Sequence, residues 1–414
     1  MNTLRGRLFV DGKLLTGTIA WEKGRIARVD AEGETARETT GEYGGAELPV
    51  IAPGFVDLHI HGFGGFDPLE DVAGMASALS RAGTTAFQPT LFPAAPQVIG
   101  EQCVVLKARA SKLKAGSGAR VLGAHLEGPF VNPEAAGALP PDDLCAPSPA
   151  ALRAILGSAS GDARGIRTMT LAPELAGSAD LVRELVRSGI RISLGHSRAT
   201  AADARAASRN GASGATHLFN AMPTLHHREV GLAGFALTDA ALFAEIIGDL
   251  VHVGADAFEL ALRARSPEGL CLVSDALRGA GTGCDVFHWH GREHVIRDGA
   301  AFYPTRGAPR DSRSDPRDSP GISRDPLAAP REPGSDLRLA GSAMSQLEMV
   351  RRLTDRGVLG LPEALTMAAG TPARALGLER ELGSLKVGLA ADFLALRGKD
   401  LVLEGVWIAG EKLV

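Results

Sequence analysis

Eight short apolar runs, separated by Ala-, Leu- and Arg-rich stretches of helical length, constrain this chain more than any other feature. They are GFVDLHIH, TTAFQPT, VLGAHLE, IRTMTLA, RISLGHS, GATHLFN, AEIIGDLVHV and GLCLVSDA, and they span residues 54–276. Near-continuous apolar strands alternating with helices predict a parallel sheet with helices packed on it. Eight such units fit a closed (β/α)8 barrel, a TIM barrel, better than an open doubly wound sheet. The 414 residues suffice for that barrel and one smaller domain. No G-x-G-x-x-G follows the first run and no G-x-x-x-x-G-K-[ST] occurs, so nucleotide binding of either kind has no support.

The two chain ends read differently. Asp11-Gly12 and Lys23-Gly24 sit between apolar runs as hairpin turns, and residues 386–414 again offer short strands broken at Gly398-Lys399 and Gly410-Glu411. A small sheet needs a partner surface. Residues 1–50 and 386–414 are therefore expected to form one small β-sandwich domain beside a barrel spanning 51–385. Residues 303–336, rich in Pro, Arg, Asp and Ser, have almost no apolar periodicity and read as a disordered insert.

Charge narrows the function. Forty-four basic against 48 acidic residues give a net charge of -4, which does not suit a nucleic-acid or acidic-membrane binder. The four cysteines, Cys103, Cys145, Cys271 and Cys284, form no C-x-x-C pair, which argues against a disulfide scaffold or a thiolate zinc site. The start lacks a signal-peptide apolar core, and no 18-residue stretch is uninterruptedly apolar. A cytoplasmic protein with no membrane segment is expected.

The chemistry lies at the ends of the runs. His59 and His61 end the first, Glu127 the third and His196 the fifth; His217 lies in the sixth, His252 ends the seventh and Asp275 the eighth. In a barrel these strand ends converge on one mouth. An i, i+2 pair on a strand faces one side, so His59 and His61 can share a metal. Glu127, His196 and His217 offer a second set of oxygen and imidazole donors suited to zinc, iron(II) or manganese, with a position left for water. A nearby aspartate such as Asp275 could take that water's proton and return it to a leaving amine. His252 reads as a substrate contact, His125 as core or support for the ligands, and His288, His290 and His294 as a chance surface cluster.

These residues carry a family likeness. PGFVDLHIHGFGG (53–65), HLEGPFVNP (125–133), LGHSRAT (194–200), THLFNAM (216–222), LVSDA (272–276) and LAGS (339–342) resemble the N-acetylglucosamine-6-phosphate deacetylases of the amidohydrolase superfamily. The resemblance implies a barrel with a small β-sandwich, a homodimer, and hydrolysis of the N-acetyl group to give glucosamine 6-phosphate and acetate. It implies one or two divalent metals per subunit, zinc first, with iron or manganese as alternatives. Glu127, His196 and His217 would hold the main one; His59, His61 and Asp275 would hold a second, with Glu127 shared and Asp275 also the general base and acid. Asn220, Ala221, His252 and Ala138 would contact the phosphorylated amino sugar, and Arg228 would reach the phosphate from the neighbouring subunit. One stretch departs from the family, where Lys-Lys-Gly-Ala-His is usual: here Ala135-Ala136-Gly137-Ala138-Leu139 replaces the carbonyl-polarising histidine with a leucine. A second metal could compensate. Another deacylase or a deaminase of the same superfamily remains the alternative.

Overall fold

The computed structural model describes residues 1–31, 48–157, 164–304 and 337–414. Eight parallel strands follow one another around a barrel: Phe55–Ile60, Thr84–Leu91, Ala124–Glu127, Ile166–Leu171, Arg191–Leu194, Gly214–Ala215, Phe243–Ile247 and Leu270–Val273. The first and the last meet through a parallel bridge from Ile60 to Ala276 and the bonds Asp275 N–H to His59 O (2.8 Å) and His61 N–H to Ala276 O (2.9 Å). Both faces of these strands are buried, which is why they read as unbroken apolar runs.

The barrel interior is more polar than the apolar packing usual in this architecture. Thr170 and Thr216 hydroxyls lie 2.7 Å apart, and Thr216 donates to Ser193 at 2.7 Å. Gln346 crosses from a helix, donating to the carbonyls of Val56 (3.1 Å) and Leu272 (2.8 Å). Each such bond removes the penalty of a buried polar group. Outside, helices such as Pro68–Arg81 and Ser178–Arg187 cover the strands with their apolar faces; Val72, Met75 and Leu79 of the first are buried.

The chain ends build a separate seven-stranded sheet. Its spatial order runs from Glu411–Lys412 through Val402–Ile408, Phe393–Arg397, Val50–Pro53 and Asn2–Val10 to Lys13–Glu22 and Arg25–Ala31. Val10 pairs with Lys13 and Glu22 with Arg25, so both expected turns close hairpins. Trp21, Phe393 and Trp407 form its aromatic core, with Phe393 and Trp407 stacked at 4.8 Å. Asp392 beside this sheet receives both arms of Arg120 from the barrel, at 2.5 and 3.0 Å.

A four-stranded antiparallel sheet, Val286–Trp289, Arg292–Arg297, Ala300–Pro304 and Leu337–Ser342, follows the eighth barrel strand. Its last strand carries LAGS and bonds to the chain around Asp275. Apart from Tyr303 and Pro304, the polar stretch 303–336 lies outside the described residues. Among the described residues, no helix is long and apolar enough to cross a membrane.

Candidate active site and metal centre

Strand ends bring the predicted residues to one mouth, but not all by the expected route. The sixth strand stops at Ala215 and the seventh at Ile247, so His217 and His252 stand on the loops beyond rather than in or at the end of a strand. The backbone turns sharply there: His196, His217, Ala221 and Asp275 all have positive φ, at 46°, 30°, 50° and 48°. For residues with a Cβ this left-handed region is unfavourable, and it is tolerated where the surrounding structure fixes the side chain for a task.

Six side chains converge. Glu127 Oε1 lies 3.0 Å from His196 Nε2, 3.1 Å from His217 Nε2 and 3.4 Å from His59 Nε2, while its Oε2 lies 3.2 Å from His61 Nε2. Asp275 Oδ1 faces His59 and His61, each at 3.5 Å. The carboxylate of Glu127 thus stands between two histidine pairs. Two sets of donor atoms result, His59–His61–Asp275 and Glu127–His196–His217, each with its ligating atoms within 4.8 Å of one another.

The donors suit a divalent cation. His196 and His217 point their Nε2 atoms at each other across 2.9 Å, and His59 and His61 do so across 3.3 Å. Two imidazole lone pairs cannot face each other at that range without a proton or a cation between them. Burial opposes charge on His59, yet Asp275 and Glu127 outweigh it and raise its pKa well above 6.5. Burial likewise opposes ionisation of Glu127, and His59 and His196 overcome it to hold the carboxyl well below 4.5. The pocket is therefore an anionic, imidazole-rich centre that draws positive charge. Nitrogen and oxygen donors without sulfur fit zinc, iron(II) or manganese alike.

Sequence reading missed the groups that orient these ligands. Glu245, fully buried inside the barrel, lies 3.3 Å from His59 Nδ1 and 3.3 Å from Arg191 Nη1. Burial opposes its ionisation, but the contact with His59 and the charge of Arg191 lower its pKa to about 2. A carboxylate on the far nitrogen fixes the imidazole's orientation and tautomer. Its signal was visible as the lone acid within the apolar run AEIIG. His196 Nδ1 likewise donates to the Ala135 carbonyl at 2.9 Å. His252 Nδ1 meets Asp249 Oδ2 at 2.6 Å, and Asp249 outweighs burial to raise the histidine's pKa above 6.5. His125, pushed down to about 3 by burial, is neutral and lies 2.8 Å from the Thr170 hydroxyl, in the core.

Ala138, Asn220, Ala221 and His252 line the same pocket as the cluster, joined by Phe92, Leu139, Leu339 and Ala340. Leu139 is buried against it, an apolar wall where a donor was usual in the resemblance. Arg228 is exposed and does not line the pocket of its own chain. The surface-cluster reading of His288, His290 and His294 fails for His294. It is 7% exposed, stacks on Phe287 at 4.8 Å and has its pKa lowered to about 4, chiefly by burial.

The Amidohydrolase family model matches residues 50–413. The human N-acetylglucosamine-6-phosphate deacetylase is 33% identical, covering 98% of this chain and 93% of its own length. An N-acetylgalactosamine-6-phosphate deacetylase of Escherichia coli O157:H7 is 31% identical over 88% of each. Among solved structures, an aspartate-to-alanine variant of the Mycobacterium smegmatis N-acetyl-D-glucosamine-6-phosphate deacetylase, in complex with N-acetyl-D-glucosamine-6-phosphate, superposes with a TM-score of 0.80. It is 28% identical and covers 100% of this chain and 99% of its own.

Proposed function

The chain belongs to the amidohydrolase family and, within it, to the N-acetylglucosamine-6-phosphate deacetylases, and from that premise we propose the following account of its chemistry. It hydrolyses the N-acetyl group of N-acetylglucosamine 6-phosphate, releasing acetate and glucosamine 6-phosphate. The observation that carries this reading is Glu127 set between two histidine pairs with Asp275 opposite, in one pocket with Asn220, Ala221 and His252.

His59, His61, Glu127, His196, His217 and Asp275 would hold one or two divalent cations, with zinc the first candidate. A cation held there supplies Lewis acidity to the amide carbonyl and lowers the pKa of a water towards neutrality. The remaining chemistry belongs to the chain. Asp275 accepts the proton of the attacking water at a carboxylate oxygen and later delivers it to the departing nitrogen, so that a neutral amine leaves. His252, whose pKa the neighbouring Asp249 raises, faces the sugar's hydroxyls and phosphate with a ring biased toward its charged form, and Asn220 with the backbone of Ala221 orients the same end. Leu139 offers no hydrogen bond to the carbonyl and instead keeps water from the acyl side. The exposed Arg228 supports a homodimer in which each subunit lends this arginine to its partner's phosphate site.

The test is acetate release from N-acetylglucosamine 6-phosphate, its galacto epimer and the unphosphorylated sugar. Release that requires the phosphate and favours the gluco epimer is expected. Equal release from the unphosphorylated sugar, or preference for the galacto epimer, overturns the substrate assignment.

A further inference from the structure

A cavity of about 490 Å3 adjoins the catalytic pocket, and the two share His61, Phe92, Ala138 and Ala340. We propose that this cavity receives the acyl end of the substrate, and that the enzyme removes N-acyl groups several carbons longer than acetyl from 6-phosphorylated amino sugars. The inference rests on the deacetylase reading and extends its substrate class.

Position is the first argument. Asn220, Ala221 and His252, the groups for the sugar and phosphate, follow the sixth and seventh barrel strands. The cavity lies beside the ends of the first and second strands, with Asp67, Leu69 and Pro93 among its walls; Asn220, Ala221 and His252 are not among them, and Ala138 stands at the junction of the two spaces. An amide at Asp275 with its sugar toward Asn220 and His252 points the other substituent of the carbonyl carbon across the mouth, to His61 and Phe92. Beyond them is the cavity.

The walls are the second argument. Phe92 stacks on His61 with ring centroids 4.0 Å apart and meets Trp289 edge-on at 5.3 Å, so one aromatic surface runs from the catalytic pocket into the cavity. The Trp289 N–H is already given to Asp67 Oδ2 at 3.0 Å, which leaves its ring as an apolar wall. Alanines 138 and 340, at the junction, leave space that larger side chains would fill. A water occupies about 30 Å3 of liquid, and a methyl group is of similar size, so the space far exceeds what an acetyl group needs.

The test compares kcat/KM for N-acetyl-, N-butyryl- and N-hexanoylglucosamine 6-phosphate. Burying each added methylene favours the longer chain by up to about fourfold, so butyryl and hexanoyl values equal to or above the acetyl value are expected. A fall of more than tenfold from acetyl to butyryl overturns the proposal. Ala94→Phe and, separately, Leu69→Trp fill the cavity without touching the catalytic pocket. Each should cut hexanoyl turnover at least tenfold and leave acetyl turnover unchanged; equal effects on both substrates contradict an acyl site. Absence of acetate release from the acetylated compound speaks against the deacetylase reading itself, whereas acetate release with rejection of longer chains sinks only this inference.

Discussion

Glu245 shows how much of the site rests on residues that touch no substrate. Its carboxylate lies between Arg191 and His59 Nδ1, so the opposite nitrogen of His59 is presented to the cluster. Glu245→Gln keeps the shape but loses the charge that raises the basicity of the ligand. Supporting groups of this kind typically change metal affinity 10–100-fold. Metal titration of the variant should show weakening of that order on the His59–His61 side, with the Glu127–His196–His217 site retained; unchanged affinity at both contradicts the role. His252 makes a prediction in pH. Its pKa is raised by Asp249, so the folded protein binds this proton more tightly than the unfolded chain. The stabilisation is therefore whole below about pH 6.5 and is lost as pH rises through the elevated value. Thermal melts of the wild type and His252→Asn should differ most below about pH 6.5, with the gap narrowing as pH rises through the elevated pKa, and a gap that is constant or widens with pH refutes the pairing.

Elements differ in how openly the sequence displays them. The eight apolar runs place all eight barrel strands, because burial on both faces leaves a continuous apolar signature. Their ends are less legible. The sixth strand is only Gly214–Ala215, and the residues that follow turn through positive φ at His217, Phe219 and Ala221, a conformation that no residue type there announces. Histidines in the right order were thus readable, and their seats on loops were not. The hairpin sheet after the eighth strand was also unread: His288 to His294 looked like scattered polarity because only alternate side chains face inward. One contact of that sheet is testable. Gly341 passes so close to Asp275 that an added Cβ would lie 2.8 Å from the Asp275 carbonyl oxygen, while Ser342 N–H donates to the same oxygen at 2.9 Å. Gly341→Ala must push the Asp275 backbone aside. Because small misplacements of a catalytic group cost up to about a hundredfold, kcat should fall ten- to a hundredfold with less change in KM; a wild-type kcat would show that Asp275 tolerates displacement.

At the scale of the whole molecule, the barrel mouth gathers groups separated by more than two hundred residues in sequence, from His59 to Asp275. Four histidine nitrogens and two carboxylates packed this closely repel or compete for protons unless a cation joins them, so the centre and the fold are coupled. A ligand at a thousand times its dissociation constant stabilises the native state by about 4 kcal/mol. Chelation is accordingly expected to lower the melting temperature by several degrees, reversibly on return of the cation. The most direct test of the account is bound-metal content and acetate release from N-acetylglucosamine 6-phosphate, measured on one preparation before chelation, after it, and after readdition of zinc, manganese or iron(II). One or two cations per chain, with release lost on chelation and regained on readdition, is the predicted result. Undiminished release from protein shown to be free of metal would contradict it.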